Sequence, residues 1–201
     1  NVLSGGGGPA PQVQQQGPAR APATDRETTF VRTVLADTED TWAQLFKAQG
    51  ARYSPPTLTL FDDRTPTACG TGQSASGPFY CPSDKRIYID LDFYKTMQQR
   101  FNVAGEFAQA YVIAHEVGHH VQHELGISDQ VQQAQQRASE KQGNALSVKL
   151  ELQADCFAGV WAHHANKQRS VIEAGDVEAA LAAATAIGST SEPRKFQRYS
   201  M

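Results

Sequence analysis

The segment Ala110-Tyr-Val-Ile-Ala-His115-Glu116-Val117-Gly118-His119-His120-Val121 carries the pattern H-E-x-x-H among apolar and small neighbours. Those neighbours predict a buried helix. On a helix, residues four apart stand on one face, about one turn from each other. Both imidazoles can then approach a single ion at about 2.0–2.1 Å. Glu116 sits one step round the helix, where its carboxylate reaches a metal-bound water without binding the metal itself. A fold built on this segment can lay the helix in a cleft floor, and a catalytic zinc there needs a third ligand. The five-letter pattern has three fixed positions and is only moderately specific. The plain alternative is a helix with two core or surface histidines.

The metzincin continuation, with its third histidine, is absent, since Gly126 and Ile127 follow instead. The segment Lys149-Leu-Glu151-Leu-Gln-Ala-Asp155-Cys-Phe-Ala-Gly159 offers a carboxylate ligand. Glu151 and Asp155 share a helical face, with Glu151 suited to the metal. Asp155 is suited to accept a hydrogen bond from the second nitrogen of a ligand histidine, which fixes the tautomer. Leu150, Leu152, Ala154, Phe157, Val160 and Trp161 make the helix mostly apolar. Buried carboxylates need a partner or a metal, which weakens the alternative of two solvated surface acids. His120 and His123 read as structural or rim residues, and His163 as a surface residue rather than a fourth ligand. Cys156 reads as a packed or unpaired thiol. Two histidines and a carboxylate suit one Zn²⁺ ion. The same set holds Fe(II) in oxygenases, but a glutamate placed as base beside the pair favours zinc.

Residues 1–23 are rich in Gly, Pro, Gln and Ala and read as a disordered linker. Residues 24–201 read as one domain. Its class is α+β, mostly helical, with a small antiparallel sheet of three or four strands ahead of the H-E-x-x-H helix. Thr24 and Glu27 have capping-box spacing, and Phe30 to Phe46 repeats its apolar residues at helical intervals up to Gly50. Thr57–Phe61, Phe79–Tyr80 and Arg86–Asp90 read as strands, and residues 91–100 as a short helix. Further helices are expected at 104–124, 129–142, 146–167 and 176–187, punctuated by Gly126, Gly143 and Gly188, with Asp176 as an N-cap. Cys69 and Cys81 flank a Gly/Ser/Pro-rich stretch that can fold back on itself. A disulfide there would stabilise the fold by roughly 3 kcal/mol and favours a compartment outside the cytoplasm. The net charge of −3 gives no basic field for nucleic acid. No run of 18 apolar residues offers a membrane span. The chain starts at Asn1, so a signal or anchor upstream would not be seen.

Taken together, H-E-V-G-H-H and E-L-Q-A-D-C-F-A-G resemble the bacterial neutral zinc metallopeptidase family. The likeness extends over most of residues 30–188, including Glu39-Asp-Thr-Trp42, Gly77-Pro-Phe-Tyr-Cys81-Pro82 and Tyr88-Ile-Asp-Leu91. It implies a zincin-like α+β fold and a peptide or protein substrate. It also implies zinc ligands at His115, His119 and Glu151, Glu116 as base, and Asp155 behind the ligands. An extracytoplasmic site, with one N-terminal membrane helix as anchor, completes the expectation. Family members run on to another cysteine where this sequence stops at Met201, so Cys156 can lack a partner here. A tyrosine or histidine should stabilise the oxyanion, with Tyr199, Tyr111, His120 and His163 as candidates. An edge strand near Phe79–Tyr80 or Tyr88–Ile89 would pair with an extended substrate. The rival expectations are a zinc-binding but inactive envelope scaffold or chaperone, and a metal-free helical interaction domain.

Overall fold

The computed structural model describes residues 25–73, 77–90, 92–101 and 105–190. The expected linker at 1–23, Thr24, and the tail at 191–201 with Tyr199 lie outside them.

Helix α1 (Asp25–Ala48) follows the predicted periodicity. Val31, Val34, Leu35, Trp42 and Phe46 are buried, and Thr38 closes on the Leu35 carbonyl at 2.6 Å. A buried hydroxyl satisfied within its own helix carries little desolvation cost. Five strands follow: β1 (Thr57–Phe61), β2 (Arg64–Thr67), β3 (Gly70–Gln73), β4 (Phe79–Cys81) and β5 (Arg86–Asp90). Strand β5 lies between β1 and β4 in a three-stranded sheet, parallel to β1 and antiparallel to β4. The expected antiparallel sheet is therefore mixed. The segment between β1 and β5 is taken up by a hairpin and β4, so the chain re-enters beside β1 running the same way. Strand β5 is central and buried from Ile87 to Asp90. Tyr88–Ile89 is thus no edge, whereas Phe79–Tyr80 on β4 is. The β2–β3 hairpin forms a separate antiparallel pair. Its glycines and turn residues hid it from a reading based on β-formers.

A disulfide joins Cys69, in the hairpin turn, to Cys81 at the end of β4. Beside it, Phe79 stacks on Tyr88 with ring centroids 4.9 Å apart. A Cβ at Gly72 would lie 2.6 Å from the Phe79 ring. The hairpin lies against that ring because residue 72 has no side chain.

The helices are α2 (Phe93–Phe101), α3 (Glu106–Glu124), α4 (Ile127–Gln136), α5 (Glu140–Arg169) and α6 (Asp176–Thr190). Among them α3 is the most deeply buried, from Phe107 to Gln122 with few gaps. Helices α1, α5 and α6 pack on it. Gly126 takes a left-handed φ of 71° at the α3–α4 junction, as a helix stop requires. The next break falls at 137–139, not at Gly143. Ser139 caps α5 reciprocally with Gln142, which places Gly143 inside the first turn. Gly188 likewise lies within α6 rather than closing it. Asp176 is the first residue of α6 rather than its N-cap: the Gly175 carbonyl accepts the first helical bond, from Ala179 at 3.0 Å, while the Asp176 carboxylate takes the Glu173 amide at 2.9 Å. No described helix is long and apolar enough to cross a membrane.

The disulfide closes a loop of 12 residues. Cys69→Ser/Cys81→Ala should lower unfolding free energy by about 3 kcal/mol, read from urea midpoints. Reductant should shift the wild-type midpoint likewise and leave the double variant unmoved.

Candidate metal centre

Helices α3 and α5 cross at Gly118. A Cβ there would stand 2.8 Å from the Ala154 carbonyl oxygen and 3.0 Å from the Ala154 Cα. Ala154 and Ala158 are themselves fully buried. Small residues on both helices let the backbones touch, and that contact carries Glu151, one turn before Ala154, onto the histidine face of α3.

His115 is 3% exposed, while His119 and Glu151 are half-buried. Glu151 Oε2 lies 3.3 Å from His115 Nε2 and 3.5 Å from His119 Nε2. Atoms bound to one ion at about 2.0–2.1 Å with tetrahedral angles stand about 3.4 Å apart. His115 Nε2 is buried and has no hydrogen-bond partner despite its nearness to Glu151. The donor atoms therefore converge on a common point rather than on one another. These three residues form the group that can hold a metal ion among the described residues, and the donor set suits zinc.

Each imidazole is oriented through its other nitrogen. Asp155 Oδ1 accepts from His115 Nδ1 at 2.9 Å and from the Tyr111 hydroxyl at 3.1 Å. Gln122 Oε1 accepts from His119 Nδ1 at 3.0 Å. The Gln122 amide donates onward to the Leu150 carbonyl at 2.7 Å and to Gln153 Oε1 at 3.1 Å. Protonated Nδ1 atoms leave both Nε2 lone pairs free for a cation. Sequence reading found Asp155 but gave Gln122 no such role. The signal was there: a glutamine three residues after His119, near the ligand face of an otherwise apolar helix.

The electrostatics ask for positive charge. Burial opposes protonation of His115, but Asp155, Glu151 and Glu116 outweigh it and raise its pKa to about 10. Burial likewise opposes ionisation of Glu151, yet the two histidines hold its carboxyl well below the usual range. Tyr111 stays a protonated donor, its pKa raised by burial and then by Asp155. Glu116 is completely buried, and neither carboxylate oxygen has a hydrogen-bond partner.

Three of the four candidates for an oxyanion donor lie within the described residues, and their contacts are elsewhere. Tyr111 is engaged behind His115, on the Asp155 side, not in front of the donor atoms. His120 is buried, with Nε2 2.6 Å from the Ser54 carbonyl and Nδ1 2.9 Å from the Tyr80 hydroxyl. Burial lowers its pKa and outweighs the Ser54 hydrogen bond. His163 is exposed on α5, edge-on to His164 and about 18 Å along the helix from Glu151. Cys156 is free and exposed rather than packed. A cavity of about 890 Å³ between α1, α3 and the end of α5 is lined by Phe30, Phe107 and Trp161 and includes none of the three candidate ligands.

A mostly helical α+β fold, with two histidines on one helix and a glutamate from a second, defines a protein with a three-residue group that can hold a metal ion beside a buried carboxylate. The chain belongs to the family described as "Putative neutral zinc metallopeptidase", which matches residues 1–201. It is 53% identical over 178 residues to "Uncharacterized protein YpfJ" of Escherichia coli K12, covering 88% of this chain and 62% of that protein. It is 40% identical over 169 residues to "Uncharacterized protein Rv2575" of Mycobacterium tuberculosis H37Rv, covering 79% of this chain and 56% of that one. The chain thus spans less than two thirds of the length of these relatives. No solved structure matches it.

Two substitutions probe the geometry. Gly118→Ala places a methyl against the α5 backbone and should cost about 1–3 kcal/mol of stability while weakening zinc binding. Gln122→Leu removes the His119 partner and should weaken zinc binding about 10–100-fold. Competition with a chromogenic chelator measures both affinities.

Proposed function

We propose that this chain is a zinc-dependent peptidase. The observation that carries the reading is Glu151 Oε2 at 3.3 and 3.5 Å from the two Nε2 atoms, with the unpartnered Glu116 carboxylate on the adjoining helical face. His115, His119 and Glu151 would hold the ion, with Asp155 and Gln122 steering the imidazoles. Bound there, zinc would polarise a scissile carbonyl and acidify a water molecule. Glu116 would hold the proton of an attacking water on its carboxylate and pass it to the amine that leaves. Its burial keeps bulk water from competing for the proton. An extended peptide on the open edge of β4 would gain backbone hydrogen bonds and alignment. The disulfide between Cys69 and Cys81 supports an oxidising, extracytoplasmic setting. The family resemblance supports attachment to a membrane through a segment outside this sequence.

The test pairs metal analysis with hydrolysis of a mixed peptide pool followed by mass spectrometry. The wild type should carry one zinc per chain and cleave peptides. Glu116→Gln should keep the zinc and lose cleavage by about 10²–10⁴-fold. Glu151→Ala should lose the zinc, and chelation should abolish wild-type cleavage. Stoichiometric zinc with no cleavage of any peptide would replace the peptidase with the scaffold reading. Equal cleavage by wild type and Glu116→Gln would remove Glu116 from the chemistry.

A further inference from the structure

A chain of polar side chains beside the metal centre is used by none of the steps above. The ring of His120 is 0% exposed, and it spans two elements outside α3. Its Nε2 lies 2.6 Å from the Ser54 carbonyl, just before β1. A carbonyl oxygen only accepts, so Nε2 carries a proton and donates to it. The Tyr80 hydroxyl lies 2.9 Å from His120 Nδ1 and 2.8 Å from His123 Nδ1. With one proton and an oxygen that accepts, the hydroxyl can donate to one ring nitrogen and accept from the other. Each bond along Ser54, His120, Tyr80 and His123 is short. The rings also pack: Tyr80 meets His120 edge-on at 5.2 Å and His123 at 6.1 Å, while Tyr53 meets His120 at 5.7 Å.

The location of this network sets its role. Strand β4 is three residues long and pairs with β5 on one side. Alternation along the strand sends Phe79 and Cys81 to the disulfide side, where they pack with Phe61 and Tyr88. Tyr80 alone of the three turns to the main core and α3. Positions 116, 120 and 123 recur at intervals of four and three, so β4 is bonded to the helical face that carries Glu116. Apolar packing would hold the strand there with slack, because dispersion contacts tolerate sliding. A tyrosine hydroxyl between two imidazole nitrogens defines a single position. A second tether, Lys85 to Glu124 at 2.9 Å, joins the β4–β5 turn to the end of α3, but it is half exposed and contributes little.

We propose that Tyr80, His120 and His123 form a clamp that sets the register between the open edge of β4 and the Glu116 face of α3, making Tyr80 a positioning residue for extended peptide substrates. The inference rests on the peptidase reading. A peptide paired with β4 is placed relative to the base and the ion only as well as β4 is placed on α3. Loosening the clamp therefore penalises longer, strand-forming substrates through their binding while leaving the metal ligands in place.

Tyr80→Phe tests this in the zinc-loaded chain, because it keeps the ring and its packing and removes only the hydroxyl. Zinc content should stay at the wild-type value. KM for a peptide of about eight residues should rise about tenfold, the loss expected for one or two hydrogen bonds, with a smaller change in kcat. Amide exchange in residues 79–81 should quicken about tenfold, with exchange across α3 unchanged. A fall in kcat at constant KM, or loss of zinc, would overturn the positioning role. Unaltered exchange in β4 would overturn the clamp itself. A zinc-loaded wild type that cleaves no peptide would sink the peptidase reading and the positioning role with it, and the exchange measurement would still decide the clamp.

Discussion

The candidate metal centre depends on the contact between Gly118 and Ala154. A helix can present two imidazoles to one ion by its own period, but it cannot supply a third donor from the same face without spending a longer run of sequence. Here the donor comes from α5, whose axis must lie close to that of α3. Helix axes normally pack 8–10 Å apart, according to the side chains between them. With no side chain at 118 and a methyl at 154, the backbones meet, and a Cβ at 118 would already fall within 3.0 Å of α5 atoms. The glycine inside the H-E-V-G-H sequence is thus part of the construction of the site.

The second requirement is that buried polar groups be satisfied in a way that leaves the right atoms free. Around His115 and His119 every hydrogen-bonding partner is on the Nδ1 side: Asp155 backed by Tyr111, and Gln122 backed by Leu150 and Gln153. Three of these partners, Asp155, Leu150 and Gln153, come from α5, so the helix that provides the carboxylate also orients one histidine directly and the other through Gln122. The arrangement concentrates acceptors around a small space. A proton on His115 relieves that charge when no cation does, and this is the physical sense of its raised pKa. Glu116 is left buried and unpartnered, at a desolvation cost that packing elsewhere offsets and that a base beside a cation would recover.

The sheet contributes Ile87 and Ile89 to the core and β4 as an edge. The disulfide and the Phe79–Tyr88 stack hold one face of β4, and the Tyr80 network holds the other. So short a strand has few ladder hydrogen bonds, and side chains on both of its faces supply the constraint that length would otherwise give.

The sequence by itself determined what local periodicity can determine. Spacing placed His115 and His119 on one face and Glu116 beside them, put Glu151 and Asp155 on one face of another helix, and marked α1, β1, β4 and β5. The turn-forming stretch between Cys69 and Cys81 announced their bridge. These features are legible because helix and strand periods are properties of the chain over a few residues. Nonlocal facts were not. The parallel pairing of β1 with β5 depends on where the chain returns. The α4–α5 break depended on a Ser139–Gln142 cap that competed with a more conspicuous Gly143 and won. Tyr111 and His120 had the chemistry of oxyanion donors, and only three-dimensional packing turned one toward Asp155 and the other toward Ser54 and Tyr80. The tertiary structure alone decided that Glu151 meets the histidines at ligand distance, because the gap between two helices is set by the volumes packed at their crossing and no period along either one encodes it.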